Sequence, residues 1–153
     1  KNVGPETDYL FKTLSVLDRK LGPVLFQFPK SFQADLPALK DFLALIPGIS
    51  CAFEFRSPSW FNAETLDLLR EGGFSLCIAD TDEEPANEIT STASWGYLRL
   101  RRSDYTEADM SLWMKRILSQ KWKRAFVFFK HEEGPETAVR FQEIAGSRAK
   151  KRT

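Results

Sequence analysis

Apolar residues recur along this chain with two alternating periods. Five short runs rich in Val, Ile, Leu and Phe have strand length: 24–28, 52–56, 75–79, 96–101 and 125–129. Between most of them, apolar residues return every three to four positions, the spacing of an amphipathic helix. Leu10, Phe11, Leu14 and Leu17 predict a helix over 8–20, stopped by Leu21-Gly22-Pro23. Leu39, Phe42, Leu43 and Ile46 predict one over 36–46, broken by Pro47-Gly48. Asn62 caps a third over 62–70, which Gly72-Gly73 ends. Thr106 caps a fourth over 106–119, with Asp109 placed as in a weaker relative of the capping box. The fifth covers 136–144 and Gly146 closes it. The stretch 80–95 is polar, contains Pro85 and has no apolar period, so it reads as a long loop with one helical turn at most.

Alternating strands and helices predict an α/β protein with a parallel sheet. A parallel sheet is normally covered on both faces, so its strands should be apolar throughout. Three of these are not. Glu54 and Arg56 point away from Phe53 and Phe55; Tyr97, Arg99 and Arg101 point away from Leu98 and Leu100; Gln27 points away from Phe26 and Phe28. Asp80 ends the third strand and Lys130-His131 follow the fifth. A barrel accounts for one polar face, because its outer side packs on helices while its inner side opens at the carboxyl ends of the strands, where ligands bind. An eight-stranded barrel typically takes about 250 residues. The expectation is an N-terminally truncated TIM-type (β/α) barrel domain over 1–146, with about five strands present. A basic, frayed tail would follow over 147–153, carrying Arg148, Lys150, Lys151 and Arg152. An open five-stranded sheet is the alternative.

Composition narrows the function classes. A chain 42% hydrophobic and 28% charged is not disordered. No apolar run approaches the roughly 20 residues of a membrane span, so no membrane partner is expected. Net charge is +1, from 22 basic and 21 acidic residues, which argues against binding a polyanion through bulk charge. Cys51 and Cys77 read as small reduced core residues, which fits a cytoplasmic protein.

The candidate chemistry lies on the polar face. Arg56, Arg99, Arg101 and Lys130 set four positive charges against Glu54 and Asp80. The surplus points to an anionic ligand such as a phosphate or carboxylate. Glu54 and Asp80 are the candidate general acid/base residues, and Gln27, Arg56, Trp60, Arg99, Arg101 and Lys130 the ligand-binding candidates. Trp60 either stacks on a ligand or anchors its loop, and the same choice stands for Tyr105. His131, the single histidine, is either an acid/base or solvated surface. Two carboxylates among four cations make a poor metal site, so no metal is assigned, and the cofactor is unknown. There is no glycine-rich phosphate loop and no serine nucleophile elbow. Three functions fit: a hydrolase or lyase acting on a small anionic substrate, a nucleic-acid-binding or phosphodiester-processing protein, and a non-catalytic barrel with a structural ion-pair network.

Several of these segments also carry a family likeness. Leu21-Gly22-Pro23-Val24-Leu25-Phe26-Gln27-Phe28-Pro29 followed by Phe32 resembles a signature of the YecE-like proteins, a domain of unknown function (family 72). Ala52-Phe53-Glu54-Phe55-Arg56-Ser57-Pro58-Ser59-Trp60-Phe61 resembles that family's most distinctive motif, and Cys77-Ile78-Ala79-Asp80 and Tyr97-Leu98-Arg99-Leu100 are similar to two more. The likeness runs from about Leu14 to Ile144. It implies a TIM-type barrel whose members are longer at the N-terminus, and no established activity. The residues it carries over are Gln27, Glu54, Arg56, Trp60, Asp80 and Arg99. Two positions depart from the pattern. Arg101-Arg102 stands where many members have His-Gly, and Lys130-His131-Glu132-Glu133-Gly134 stands where many have an Asn-rich turn.

Overall fold

A computed structural model describes residues 3–130 and 134–150, with side chains as far as 147. Five strands, β1 (Val24–Phe28), β2 (Cys51–Phe55), β3 (Ser75–Asp80), β4 (Trp95–Leu100) and β5 (Arg124–Phe129), pair in chain order and all in parallel. Five helices accompany them: α1 (Gly4–Ser15), α2 (Leu36–Ala44), α3 (Ala63–Gly72), α4 (Glu107–Leu118) and α5 (Glu136–Lys150). The α/β class and the parallel sheet expected from the alternation are both present. The chain falls into two compact units, Lys1–Leu76 and Cys77–Thr153.

In the first unit, Val24 to Phe28 lie in register with Cys51 to Phe55, and Ala52 and Phe53 with Ser75 and Leu76. Phe53, Phe55 and Leu76 form an apolar cluster with Leu39 and Leu43 of α2 and Leu69 of α3, and Phe26 and Phe28 pack against it. One face of these strands is thus committed to helices. The helix ends are set locally. The Asp35 carboxylate accepts from the Ala38 N–H at 3.0 Å, and the Asn62 side chain accepts from the Thr65 N–H at 2.8 Å. Gly73 ends α3 at φ 67°, a left-handed conformation that glycine adopts without steric cost.

In the second unit, Cys77 to Asp80 pair with Tyr97 to Leu100, and β4 pairs along its whole length with β5. Ile78, Leu98, Leu100 and Phe129 cluster with Met110, Trp113 and Met114 of α4 and Phe141 of α5. A full capping box opens α4: the Thr106 hydroxyl accepts from the Asp109 N–H, and the Asp109 carboxylate accepts from the Thr106 N–H.

Several boundaries differ from those expected. Helix α1 starts at Gly4 rather than Asp8, with Pro5 in its first turn, where a fixed φ favours helix entry. It ends at Ser15, and a short 3-10 turn covers Asp18–Lys20. Helix α5 passes through Gly146 to Lys150, so this glycine does not close it and the expected frayed tail is helical through Lys150. Residues 151–153 lie outside the described residues, as do the side chains of Arg148 and Lys150. The link between β3 and β4 is a loop without a helical turn, in keeping with its polar, aperiodic sequence. Arg56 and Arg101 each stand one residue past their strand.

Candidate functional site

The polar cluster of the first unit follows from strand alternation. With Phe26, Phe28, Phe53 and Phe55 turned to the helices, Gln27 and Glu54 share the opposite face. They are register partners on neighbouring strands. The Gln27 side-chain amide donates from Nε2 to Glu54 Oε2 at 3.1 Å, and Arg56 donates from Nε to Oε1 at 3.1 Å. The Arg56 backbone N–H donates to the Phe28 carbonyl at 3.1 Å, carrying the ladder one residue beyond β2 and fixing where its side chain departs. Glu54 is 4% exposed, whereas Gln27 and Arg56 are exposed. A carboxylate so enclosed needs partners, and it has an amide on one oxygen and a guanidinium on the other.

Asp80 is built differently. It is wholly buried. Its Oδ1 accepts from the Ala86 N–H at 2.8 Å; its Oδ2 accepts from Arg102 Nε and from the Tyr105 hydroxyl, each at 2.8 Å. Arg102 lies 4.8 Å over the Tyr105 ring and 3.7 Å from Asp109 Oδ1. The arginine on Asp80 is therefore Arg102, and not Arg99 or Arg101 as the charge count grouped them. Register explains the correction. Asp80 pairs with Leu100, and Ile78, Asp80, Leu98, Leu100 and Arg102 follow one parity, whose apolar members Ile78, Leu98 and Leu100 pack against the helices. Arg99 and Arg101 follow the other parity. Arg101 meets Asp80 only through its backbone N–H, which donates to the Asp80 carbonyl at 2.8 Å. Burial, with the Asp80 carboxylate reinforcing it and the Arg102 N–H opposing, holds the Tyr105 hydroxyl well above its ordinary pKa. The phenol stays a donor. Arg102 is likewise raised, chiefly by its bond to Asp80.

The remaining candidates are placed as follows. Trp60 is 1% exposed; its ring stacks 4.7 Å from Phe55, and its Nε1 donates to the Phe32 carbonyl at 2.9 Å. A ring enclosed in this way has the contacts of a loop anchor. Tyr105, also buried, sits inside the Asp80 network. Arg99 is half-buried on β4, in register with Ala79 and Phe128, and Arg101 is half-buried just after it. Lys130 follows β5, exposed, with its N–H donating to the Leu100 carbonyl at 3.0 Å. His131, Glu132 and Glu133 lie outside the described residues. Among the described residues no group of three His, Cys, Asp or Glu side chains is arranged to hold a metal ion, and no helix is long and apolar enough to cross a membrane. The parts that sequence reasoning missed are Arg102 and the Tyr105 hydroxyl. The signal that could have found them is the parity of 98, 100 and 102 matched to 78 and 80, and it needs the register between β3 and β4.

A family model described as "Protein of unknown function DUF72" matches residues 1–153, which bears out the likeness to the YecE-like proteins. No curated protein matches the chain. Among solved structures, a DUF72 family protein of Thermotoga maritima is similar at 21% identity and a TM-score of 0.79, over 97% of this chain and 66% of that one. A DUF72 family protein of Enterococcus faecalis is similar in two structures, both with a TM-score of 0.75. One is 18% identical over 94% of this chain and 66% of that one; the other is 21% identical over 92% and 67%. This chain thus spans about two thirds of the length of these proteins, and at such identities the likeness is one of fold.

Proposed function

The chain belongs to the DUF72 family of unknown function, and from that premise we propose that it is an enzyme acting on a small anionic ligand, with Glu54 as general acid/base and Arg56 holding the anion. The observation that carries this reading is the setting of Glu54. It is a buried carboxylate at the carboxyl end of a parallel strand, flanked by two exposed polar side chains. Ligands of α/β proteins bind at that end of the strands. A guanidinium that gives only its Nε to Glu54 keeps its Nη pair for a carboxylate or phosphate. A carboxylate held between a cation and an amide is positioned to take and return a proton. Asp80 is read as a brace, because three donors already occupy its oxygens. In the second unit Arg99, Arg101 and Lys130 are retained as ligand-binding candidates. The sheet is read as part of a TIM-type barrel, supported by parallel pairing in chain order with helices between most strands. The free thiols of Cys51 and Cys77 support a cytoplasmic setting.

Thermal melting against a panel of phosphates, carboxylates and sugars tests the reading. A ligand at a hundredfold excess over its Kd stabilises by about 2.7 kcal/mol, or roughly 5 to 10 °C for a chain of this size. At least one anion should raise the wild-type Tm by that order, and Arg56→Met should lose the rise relative to its own baseline. An equal rise in Arg56→Met would overturn the assignment. A response to oligonucleotides alone, weakening with salt, would favour the nucleic-acid reading, and no response at all the structural ion-pair one.

A further inference from the structure

We propose that Gln27 reads a hydrogen-bond donor on the ligand, so that the ligand is an anion bearing a neighbouring hydroxyl: a hydroxy acid or a phosphorylated polyol. This rests on the anion-binding reading above and adds what else the ligand must offer. An ionised carboxylate only accepts hydrogen bonds. With Gln27 Nε2 at 3.1 Å from Glu54 Oε2, the amide is therefore oriented, its NH2 toward Glu54 and its carbonyl Oε1 turned away. The opposite orientation would set two acceptor oxygens against each other. Gln27 is exposed, and among the described residues its Oε1 accepts no hydrogen bond. On the other side of the same carboxylate, Arg56 gives its Nε to Oε1 and is exposed, and its Nη atoms donate to no acceptor among the described residues.

One buried carboxylate thus carries a neutral acceptor on one flank and a pair of cationic donors on the other. Their spacing is fixed because Gln27 and Glu54 are register partners and Arg56 is tied to the Phe28 carbonyl. A small molecule that satisfies both flanks brings a negative group to Arg56 and a donor to Gln27. The donor is a hydroxyl rather than an ammonium, because the Glu54 charge is already met by Arg56 and the acceptor on offer is a neutral amide.

Matched pairs decide the matter. Calorimetric titration of the whole chain with lactate, propionate and alanine, and with 2-hydroxypropyl phosphate and propyl phosphate, compares ligands that differ at a single hydroxyl position. At least one hydroxylated member should bind about fivefold tighter than its hydroxyl-free partner, the worth of one added hydrogen bond. In Gln27→Met that gap should close through weaker binding of the hydroxylated member, with the partner's Kd moving less than about twofold. Equal affinities within both wild-type pairs overturn the proposal. So does a preference for alanine over lactate, or a Gln27→Met variant that weakens both members alike. If no anion binds, the anion reading falls with it. If hydroxylated and hydroxyl-free anions bind equally and both are lost in Arg56→Met, only the role of Gln27 falls.

Discussion

Asp80 accepts three hydrogen bonds through two carboxylate oxygens, and the Tyr105 hydroxyl supplies one of them from a side chain that is 4% exposed. Removing that hydroxyl leaves the carboxylate buried with one donor fewer. Tyr105→Phe is expected to cost about 1.5 to 3 kcal/mol, the range for hydrogen bonds to charged groups. Urea denaturation measures it, and a loss below about 0.5 kcal/mol would contradict the bracing role. Cys51 gives a pH dependence of known sign. It is fully buried on β2, and burial pushes its thiol from 9.0 up to about 12. The unfolded chain releases this proton near pH 9 while the folded chain holds it to about 12, so the unfolded state binds fewer protons within that window. The contribution is complete below pH 9 and is lost as pH rises toward 12. The fall in urea midpoint from pH 9 to pH 11 should be shallower in Cys51→Ala than in wild type; identical slopes would refute it. Burial of both thiols was legible in the apolar strands around them. The partner of Asp80 was not, because Arg102 and Tyr105 stand in the segment after β4, and only register between strands shows which face they share with Asp80.

Elements were read well where a period or a cap fixed them, as in α3 between Asn62 and Gly73 and in α4 behind Thr106. At the end of α5, tertiary packing outweighs a local breaker. Gly146 costs a helix only about 1 kcal/mol relative to alanine, and Phe141, Ile144 and Ala145 pack α5 onto the second cluster. The link after β3 needs no helix. Ala86 and Ile89 cover that cluster, and the Ala86 N–H is tied to Asp80. Gly96 is required by close approach rather than by φ. A Cβ there would collide with the Trp122 indole, whose Nε1 donates to the Ser91 hydroxyl at 2.7 Å. Gly96→Ala should therefore cost about 1 to 3 kcal/mol by overpacking, and its Tm should fall by at least roughly 2 °C. An unchanged Tm would show that the indole yields freely.

Across the whole molecule, five parallel strands in chain order place apolar residues toward helices, and alternation then dictates where polar side chains emerge. That logic was legible for Gln27, Glu54 and Arg56, which the fold does bring together. Asp80 departs from it, because its parity follows that of the helix-facing Ile78, and Trp60 stands outside it, in the loop after β2 with its ring in an aromatic cluster. A net charge of +1 leaves any anion to be recognised by local groups rather than by the field of the whole chain. The central claim is that the Glu54 cluster meets the ligand through Arg56 and Gln27. Its most direct test follows the side-chain NMR resonances of Arg56 Nε–H and Gln27 Nε2–H2 while glycerol 3-phosphate is titrated into the protein. Saturable shifts of both, with the Arg102 Nε–H on Asp80 unmoved, are the predicted result. Saturation of the protein with those two resonances unmoved, or no saturable binding, would contradict it.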